Sequence, residues 1–378
     1  MEANSPQVAI VGAGPSGVAC GLALQDVGVR ALVIDRADQV GSAWRTRYDR
    51  LRLNSSRLLS GFPRRRFPRG TPMFPTRDQM VAYIEHCATM TGLDLRLGTE
   101  VHSLARDGAS WVLATSSGEI RAPQVIVATG HENEPFITDW PGRESFEGRL
   151  LHSSDYRNAE GFGDSRVLVV GPGSSGMEIA YDLVEGGADT VWLSARTPPN
   201  IVLREGRGGL PGDFIAVTLL HTPTRFGDAM ARFGRRMDVG DLSEFGLPVP
   251  EDGIFSRLHR HEVAPAIVDQ DVIEAIRTRR IEIVRGVEAL DSTGATLADG
   301  MRVEPDAVIC ATGYREGLER LVGDLDVLDA DGRPRERGER PAAPGLRFVG
   351  YTARPGALSY TGKEARRAAR AIARELRA

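Results

Sequence analysis

A chain of 378 residues, 41% of them hydrophobic, is long enough for two or three domains with full cores. Its net charge of −4 and pI near 6.0 argue against nucleic acid or an anionic membrane surface as a partner. Cys20, Cys87 and Cys310 lie in apolar surroundings and form no C-x-x-C, so they read as buried free thiols of a reducing compartment. No apolar run approaches the roughly 18 residues of a membrane span, and a strand pattern beginning at Val8 leaves no room for a secretory leader. A soluble, cytoplasmic protein is expected.

In chain order, Val8-Ala-Ile-Val11 leads into Gly12-Ala-Gly14-Pro15-Ser16-Gly17, a G-x-G-x-x-G fingerprint, and a helical pattern from Val18 to Val27 stops at Gly28. With 43 glycines in the chain, about half a match arises by chance, so the strand–turn–helix context carries the reading. The first glycine permits the turn, the second lets backbone approach a pyrophosphate and the third lets helix pack on strand. The next strand, Ala31 to Ile34, ends in Asp35, with Arg36 beside it. A carboxylate there accepts ribose hydroxyls, which fits the adenosine half of FAD.

An excursion over 45–76 rich in Pro and Arg, a helix over 77–90 and a β-rich segment over 93–120 return the chain to Val125-Ile-Val-Ala-Thr129-Gly130. Trp44, ahead of the excursion, reads either as a neighbour of the flavin or as an aromatic core residue. The second unit repeats the first. Val167 to Val170 precedes Gly171-Pro-Gly173-Ser174-Ser175-Gly176, a helix is expected from Met177 to Glu185, and the following strand ends in Ser194-Ala-Arg196. A guanidinium in place of a carboxylate suits a 2′-phosphate, hence NADPH.

The stretch 205–260, with several Phe, Gly and Pro, reads as an irregular lid or substrate insertion, or as plain packing. His259, His261 and Glu262 look like a metal trio only superficially, and no metal is expected. Ala307 to Cys310 followed by Ala311-Thr312-Gly313-Tyr314 repeats the earlier Ala-Thr-Gly and implies paired crossings between two units. A strand at 346–350 and a helix at 363–377 close the first unit. The expected fold is α/β, with an NADPH-binding Rossmann-like domain (158–310) inserted in an FAD-binding one (1–157 and 311–378). That nesting brings two cofactors face to face for hydride transfer.

Phe146-Glu-Gly148-Arg-Leu-Leu-His152-Ser-Ser-Asp-Tyr156 reads F-x-G-x-x-x-H-x-x-x-Y, a pattern expected by chance on the order of 0.0005 times in this chain. It resembles the identifying motif of flavin-containing monooxygenases. The whole chain except 205–260 is similar to class B flavoprotein monooxygenases, especially the YUCCA-type branch, through Tyr48-Asp-Arg-Leu-Arg-Leu53, Phe74-Pro-Thr76, Gly176-Met-Glu-Ile-Ala-Tyr-Asp-Leu183 and Ala311-Thr-Gly-Tyr314. Asn54-Ser-Ser-Arg57 resembles the branch that oxygenates N and S, whereas Gly350-Tyr351-Thr352 resembles the Gly-Phe-Thr of YUCCA enzymes. The resemblance implies that NADPH reduces FAD, that the reduced flavin binds O2 as a C4a-hydroperoxide, and that one oxygen atom passes to a small organic substrate. Sulfides, amines and ketones stay open as substrates, as does oxidative decarboxylation of an aromatic 2-oxo acid.

In that chemistry Asn54 is the candidate to donate to the peroxide or the nicotinamide, with an Asx turn as its alternative. His152 is a candidate to position the nicotinamide nucleotide or to act as an interdomain hinge. A disulfide reductase of similar architecture lacks its C-x-x-C here; an FAD/NADP-binding redox sensor without catalysis is the rival of another class. A homodimer is a possible assembly.

Overall fold

The computed structural model describes residues 5–378, and its two central sheets repeat one plan. The first is all parallel, in the spatial order Leu346–Phe348, Gln124–Val127, Val8–Val11, Ala31–Ile34, Asp94–Arg96. The second, also all parallel, runs Arg149–His152, Ala307–Cys310, Arg166–Val170, Thr190–Ala195, Glu282–Arg285. In each, the fingerprint strand is central, and the chain reverses its order between that strand and the one that ends in Ala-Thr-Gly. Ligands of open α/β sheets bind at such a switch point. An antiparallel meander, Val101–Asp107, Ser110–Thr115 and Gly118–Ala122, precedes the returning strand of the first unit; a smaller one, Val287–Leu290, Ala295–Leu297 and Arg302–Val303, precedes that of the second.

Buried on both faces, the parallel strands are continuous apolar runs, as such strands must be. The helix Pro15–Gln25 packs against the C-terminal helix Ala357–Glu375, and the small residues Ala19 and Ala23 share one buried cluster with Ala365, Ala368 and Ala369. Both fingerprint helices begin three residues earlier than the apolar pattern indicates, at Pro15 and Ser174, because the glycine turn runs straight into the first helical turn. The C-terminal helix likewise begins at Ala357 rather than 363, with left-handed Gly356 at its start, and ends at Glu375. No helix among the described residues is long and apolar enough to cross a membrane.

Two expectations need correction. The strand Arg149–His152 pairs with Ala307–Cys310, so the chain has entered the second sheet before Arg149 and not at 157. A strand so close to the first unit in sequence is taken by the second because the latter's sheet edge offers a parallel partner. The stretch 205–260 is largely helical, not irregular: Gly212–Leu219, Thr224–Asp238 and Ile254–His261. Gly227 and Gly234 inside the middle helix lower its intrinsic propensity and hide it. Gly227 is there for contact, since a Cβ would stand 2.9 Å from the Phe255 ring.

Asp228, 3% exposed, fastens the last two of these helices together. Its carboxylate accepts from the N–H of Phe255 (2.7 Å) and Ser256 (3.3 Å) and from the Ser256 hydroxyl (2.5 Å), capping Ile254–His261 from another helix. Removing such a cap leaves buried donors unpaired, at a cost of about 1–3 kcal/mol. Asp228→Ala is therefore expected to speed amide hydrogen exchange over 254–261 while leaving the two sheets protected. Unchanged exchange there would show the cap to be dispensable.

Candidate active site

At the first switch point a cavity of about 600 Å3 opens between Gly12, Gly14, Asp35 and Thr129. Gly12 has φ 108°, and a Cβ on it would lie 2.6 Å from the Ala128 carbonyl oxygen. A Cβ on Gly17 would collide with the Gly12 carbonyl. Around Gly14 nothing lies within 4 Å of the Cβ position, so no protein contact demands glycine there. What needs the room is a ligand. Pro15, Ser16 and Gly17 run on into the helix, whose free N–H groups suit a pyrophosphate.

Asp35 is fixed by two backbone donors, Ala13 N–H to Oδ2 (2.5 Å) and Ala37 N–H to Oδ1 (2.9 Å). A carboxylate accepts about four hydrogen bonds, so capacity remains for two ribose hydroxyls. Arg36 lines the same cavity and reaches Asn133 Oδ1 at 3.3 Å. Thr129 shares a 2.7 Å hydrogen bond with the Tyr351 hydroxyl. Trp44 faces the core rather than the cavity, whereas its neighbours Ala43, Thr46 and Arg47 line it. These residues fit the adenosine diphosphate half of a dinucleotide.

The second cavity, about 490 Å3, repeats the arrangement around Gly171 and Gly173. Gly171 has φ 112° and abuts the Ala311 carbonyl, and the Cβ position of Gly173 is again open. Gly176 backs onto Gly171 as Gly17 does onto Gly12. Ser174 accepts the Ile267 N–H (2.8 Å), Ser175 engages Tyr48, and Ser194 donates to the Arg285 carbonyl (2.9 Å), so these hydroxyls knit the loop to its neighbours. Arg196 lines the cavity and makes no hydrogen bond or ion pair among the described residues. Arg257, from the last helix of the insertion, lines it too, its Nη1 donating to the Pro198 carbonyl at 3.1 Å. No described Asp or Glu lines this cavity. Two guanidiniums without a carboxylate suit a phosphate monoester.

The run Ala311–Tyr314 serves both cavities: Ala311 and Thr312 line the second, Tyr314 the first. Gly313 lies between them, and Tyr314 and Arg315 pair antiparallel with Pro135 and Glu134 of the other crossing. Arg47 stacks over the Tyr314 ring at 4.7 Å and pairs with Glu132 at 2.6 Å.

His152, 1% exposed, lines neither cavity. Its Nε2–H donates to the Gly313 carbonyl (3.0 Å), and its Nδ1 accepts the Ser154 N–H (3.1 Å). Both ring nitrogens are thus committed, and they tie the strand Arg149–His152 to the crossing at Gly313. Burial holds its pKa below the usual value. Asn54 lines neither cavity; it is exposed on a bend, and its Oδ1 accepts from Arg204 Nη2 at 3.3 Å rather than closing an Asx turn. His259 Nδ1 faces the Phe255 carbonyl (2.7 Å), and Glu262 pairs with Arg337 (2.7 Å), so the apparent metal trio is not assembled.

Residues 9–201 match the model of the pyridine nucleotide-disulphide oxidoreductase family. Over 92% of its length the chain is 34% identical to indole-3-pyruvate monooxygenase YUCCA1 of Oryza sativa subsp. japonica, covering 87% of that protein. The chain belongs to the flavin monooxygenases of this family. The probable indole-3-pyruvate monooxygenase YUCCA1 of Arabidopsis thaliana is 32% identical over 91% of the chain and 84% of its own length. A flavin-containing monooxygenase from Stenotrophomonas maltophilia has the same fold, with a TM-score of 0.76 and 23% identity over 98% of this chain and 99% of that one. Flavin monooxygenases of this family use FAD and NADPH.

In this flavin monooxygenase the three thiols are buried, and burial raises the pKa of each, that of Cys310 to about 12. None supplies a thiolate for disulfide exchange. Arg47, Arg257 and Arg204 escaped the sequence reading, because in an arginine-rich chain nothing sets one guanidinium apart from another until the fold places it.

A charge-assisted contact to a 2′-phosphate contributes about 1.5–3 kcal/mol. Arg196→Ala is expected to lower the preference for NADPH over NADH by roughly ten- to a hundredfold, read from equilibrium titration of each nucleotide. Equal losses for both would show Arg196 to be structural. For His152 the unfolded chain takes up a proton near pH 6.5 while the folded chain resists it, so its contribution to stability is present above that pH and is lost as pH falls below it. His152→Gln should flatten the fall in urea stability between about pH 7.5 and 5.5. A slope equal to that of the parent would place the titration elsewhere.

Proposed function

We propose that the first cavity takes FAD, the second NADPH, and that the enzyme oxygenates an aromatic 2-oxo acid of the indole-3-pyruvate type with loss of CO2. The observation that carries the substrate class is the identity of 30–34% with indole-3-pyruvate monooxygenases along more than nine-tenths of the chain. Bound FAD supplies the acceptance of hydride from NADPH and the activation of O2. The chain's own residues bind, orient and exclude water. The reaction balances: 2-oxo acid, O2, NADPH and one proton give the carboxylic acid shortened by one carbon, CO2, NADP+ and water.

The insertion supports an apolar substrate. Asp213, at the start of the helix Gly212–Leu219, accepts the Ser56 N–H at 2.6 Å and so seats this helix over the Asn54 segment. Beside that contact Leu58, Leu210, Phe214 and Ile215 are exposed, between 42% and 62%, which suits the wall of a pocket for an aromatic group. In this reading Asn54 offers an N–H donor where oxygen is transferred. A second reading, oxygenation of sulfides or amines, is favoured by Asn54-Ser55-Ser56 alone.

Oxygen uptake with NADPH, across aromatic 2-oxo acids, sulfides, amines and ketones, with products identified by mass, tests both. The expected result is CO2 release and a shortened acid from the first class. A product heavier by one oxygen from a sulfide or amine, with no turnover of 2-oxo acids, would establish the second reading instead.

A further inference from the structure

Arg204 ends the strand Ile201–Leu203 and is 1% exposed. Its N–H donates to the Val268 carbonyl (2.8 Å), which sets the backbone, and its guanidinium lies among three oxygen-bearing side chains. Nη2 donates to Glu178 Oε1 and to Asn54 Oδ1, the latter at 3.3 Å; Nη1 stands 2.5 Å from Asp269 Oδ1. Glu178, 5% exposed, sits two residues beyond Gly176 on the second fingerprint helix, and its Oε2 accepts from the Tyr48 hydroxyl at 2.6 Å. Four stretches of chain thus meet at one buried charge cluster: the Tyr48–Asn54 segment, the nucleotide-binding helix, the entry to the insertion and the start of the helix Gln270–Arg277.

Buried ion pairs of this sort add little net stability over apolar side chains of the same volume, so their worth lies in what they hold in place. A guanidinium has only donors. Facing Arg204, the Asn54 carboxamide presents its oxygen, and its NH2 is directed away. We infer that Arg204 is a positioning residue: held by Glu178 and Asp269, it orients Asn54 so that the amide serves as a donor, not an acceptor, toward the oxygen-transfer site. The inference rests on the proposed role of Asn54 and ties it to the helix that follows the second fingerprint.

The test compares Asn54→Ala, Asn54→Asp, Arg204→Lys and the paired change Arg204→Met/Glu178→Leu, which leaves neither of these two charges buried without its partner. FAD-loaded enzyme is given NADPH and O2 without organic substrate, and H2O2 release is followed: O2, NADPH and a proton give H2O2 and NADP+. Loss of a preorganised donor is expected to raise the release rate about tenfold or more. Asn54→Asp keeps an oxygen toward Arg204 but no NH2, and is expected to match Asn54→Ala; Arg204→Met/Glu178→Leu is expected to do the same, and Arg204→Lys to fall between these and the parent. Combining Asn54→Ala with the paired change should add nothing. Flavin-free protein gives a second readout: the shift in urea midpoint caused by Asn54→Ala should vanish in the Arg204→Met/Glu178→Leu background.

If Asn54→Ala releases H2O2 rapidly while the paired change behaves as the parent, Arg204 does not position Asn54. An Asn54→Asp protein with parental release overturns the donor orientation, and it stays informative should the paired change fail to fold. Parental release from Asn54→Ala itself would remove the proposed role of Asn54, a failure distinct from that of Arg204.

Discussion

In each half of the molecule the first fingerprint glycine lies hard against the carbonyl that ends a neighbouring strand, where a Cβ would stand 2.6 Å from the Ala128 oxygen at Gly12 and closer still to that of Ala311 at Gly171. Any side chain at either glycine would push apart the two strands that flank the switch point. Once they are together, the fingerprint turn has nowhere to go but over the strand ends, and its helix starts at once. The Ala-Thr-Gly that follows the neighbouring strand then carries the chain across to the other unit, so a single steric constraint sets both the nucleotide cradle and the domain crossing. That the same contact occurs twice explains why the two sheets share one strand order although their edge strands come from different places in the chain.

With nearly identical frames, the two cavities differ in charge. Asp35, pinned by the N–H groups of Ala13 and Ala37, puts a carboxylate at the end of the second strand of the first unit. At the equivalent place the second unit has Ser194 turned onto its neighbouring strand, Arg196 unpaired among the described residues and Arg257 brought in by the insertion. A carboxylate accepts from ribose hydroxyls and repels a phosphate there; two guanidiniums do the reverse. A handful of side chains at strand ends thus gives two like frames opposite charge.

Those strand ends were legible in the sequence because the glycines fix the register from which Asp35 and Arg196 are counted. The crossings were legible as well, since Ala-Thr-Gly occurs at both. What could not be read are features settled by contacts distant in sequence. The strand Arg149–His152 adds to a sheet whose partner strand lies more than 150 residues away, and only that pairing places His152 beside the crossing at Gly313. In the insertion, Phe226, Met230, Phe233 and Met237 have helical spacing but are all exposed, and two glycines interrupt the pattern, so periodicity failed as a signal of burial. Trp44 resembled a flavin neighbour, yet the short helix Ser42–Arg45 turns it to the core and sends Ala43 to the cavity.

Arg204 and Glu178 illustrate the same limit more sharply. Neither stands out in a chain with 47 basic and 51 acidic residues, and they are 26 residues apart. Only folding makes them a buried pair, with the Tyr48 hydroxyl and Asp269 closing the set. Burial raises the Glu178 pKa and the Arg204 guanidinium works against that rise, so removing either partner alone would leave the other charge buried without its counter-charge. An apolar substitute would fill the space but could not dictate which end of the Asn54 amide faces outward. A cluster of this kind costs desolvation throughout the protein's life; orientation of one polar group at the join of two nucleotide-binding units is the return the geometry offers for it.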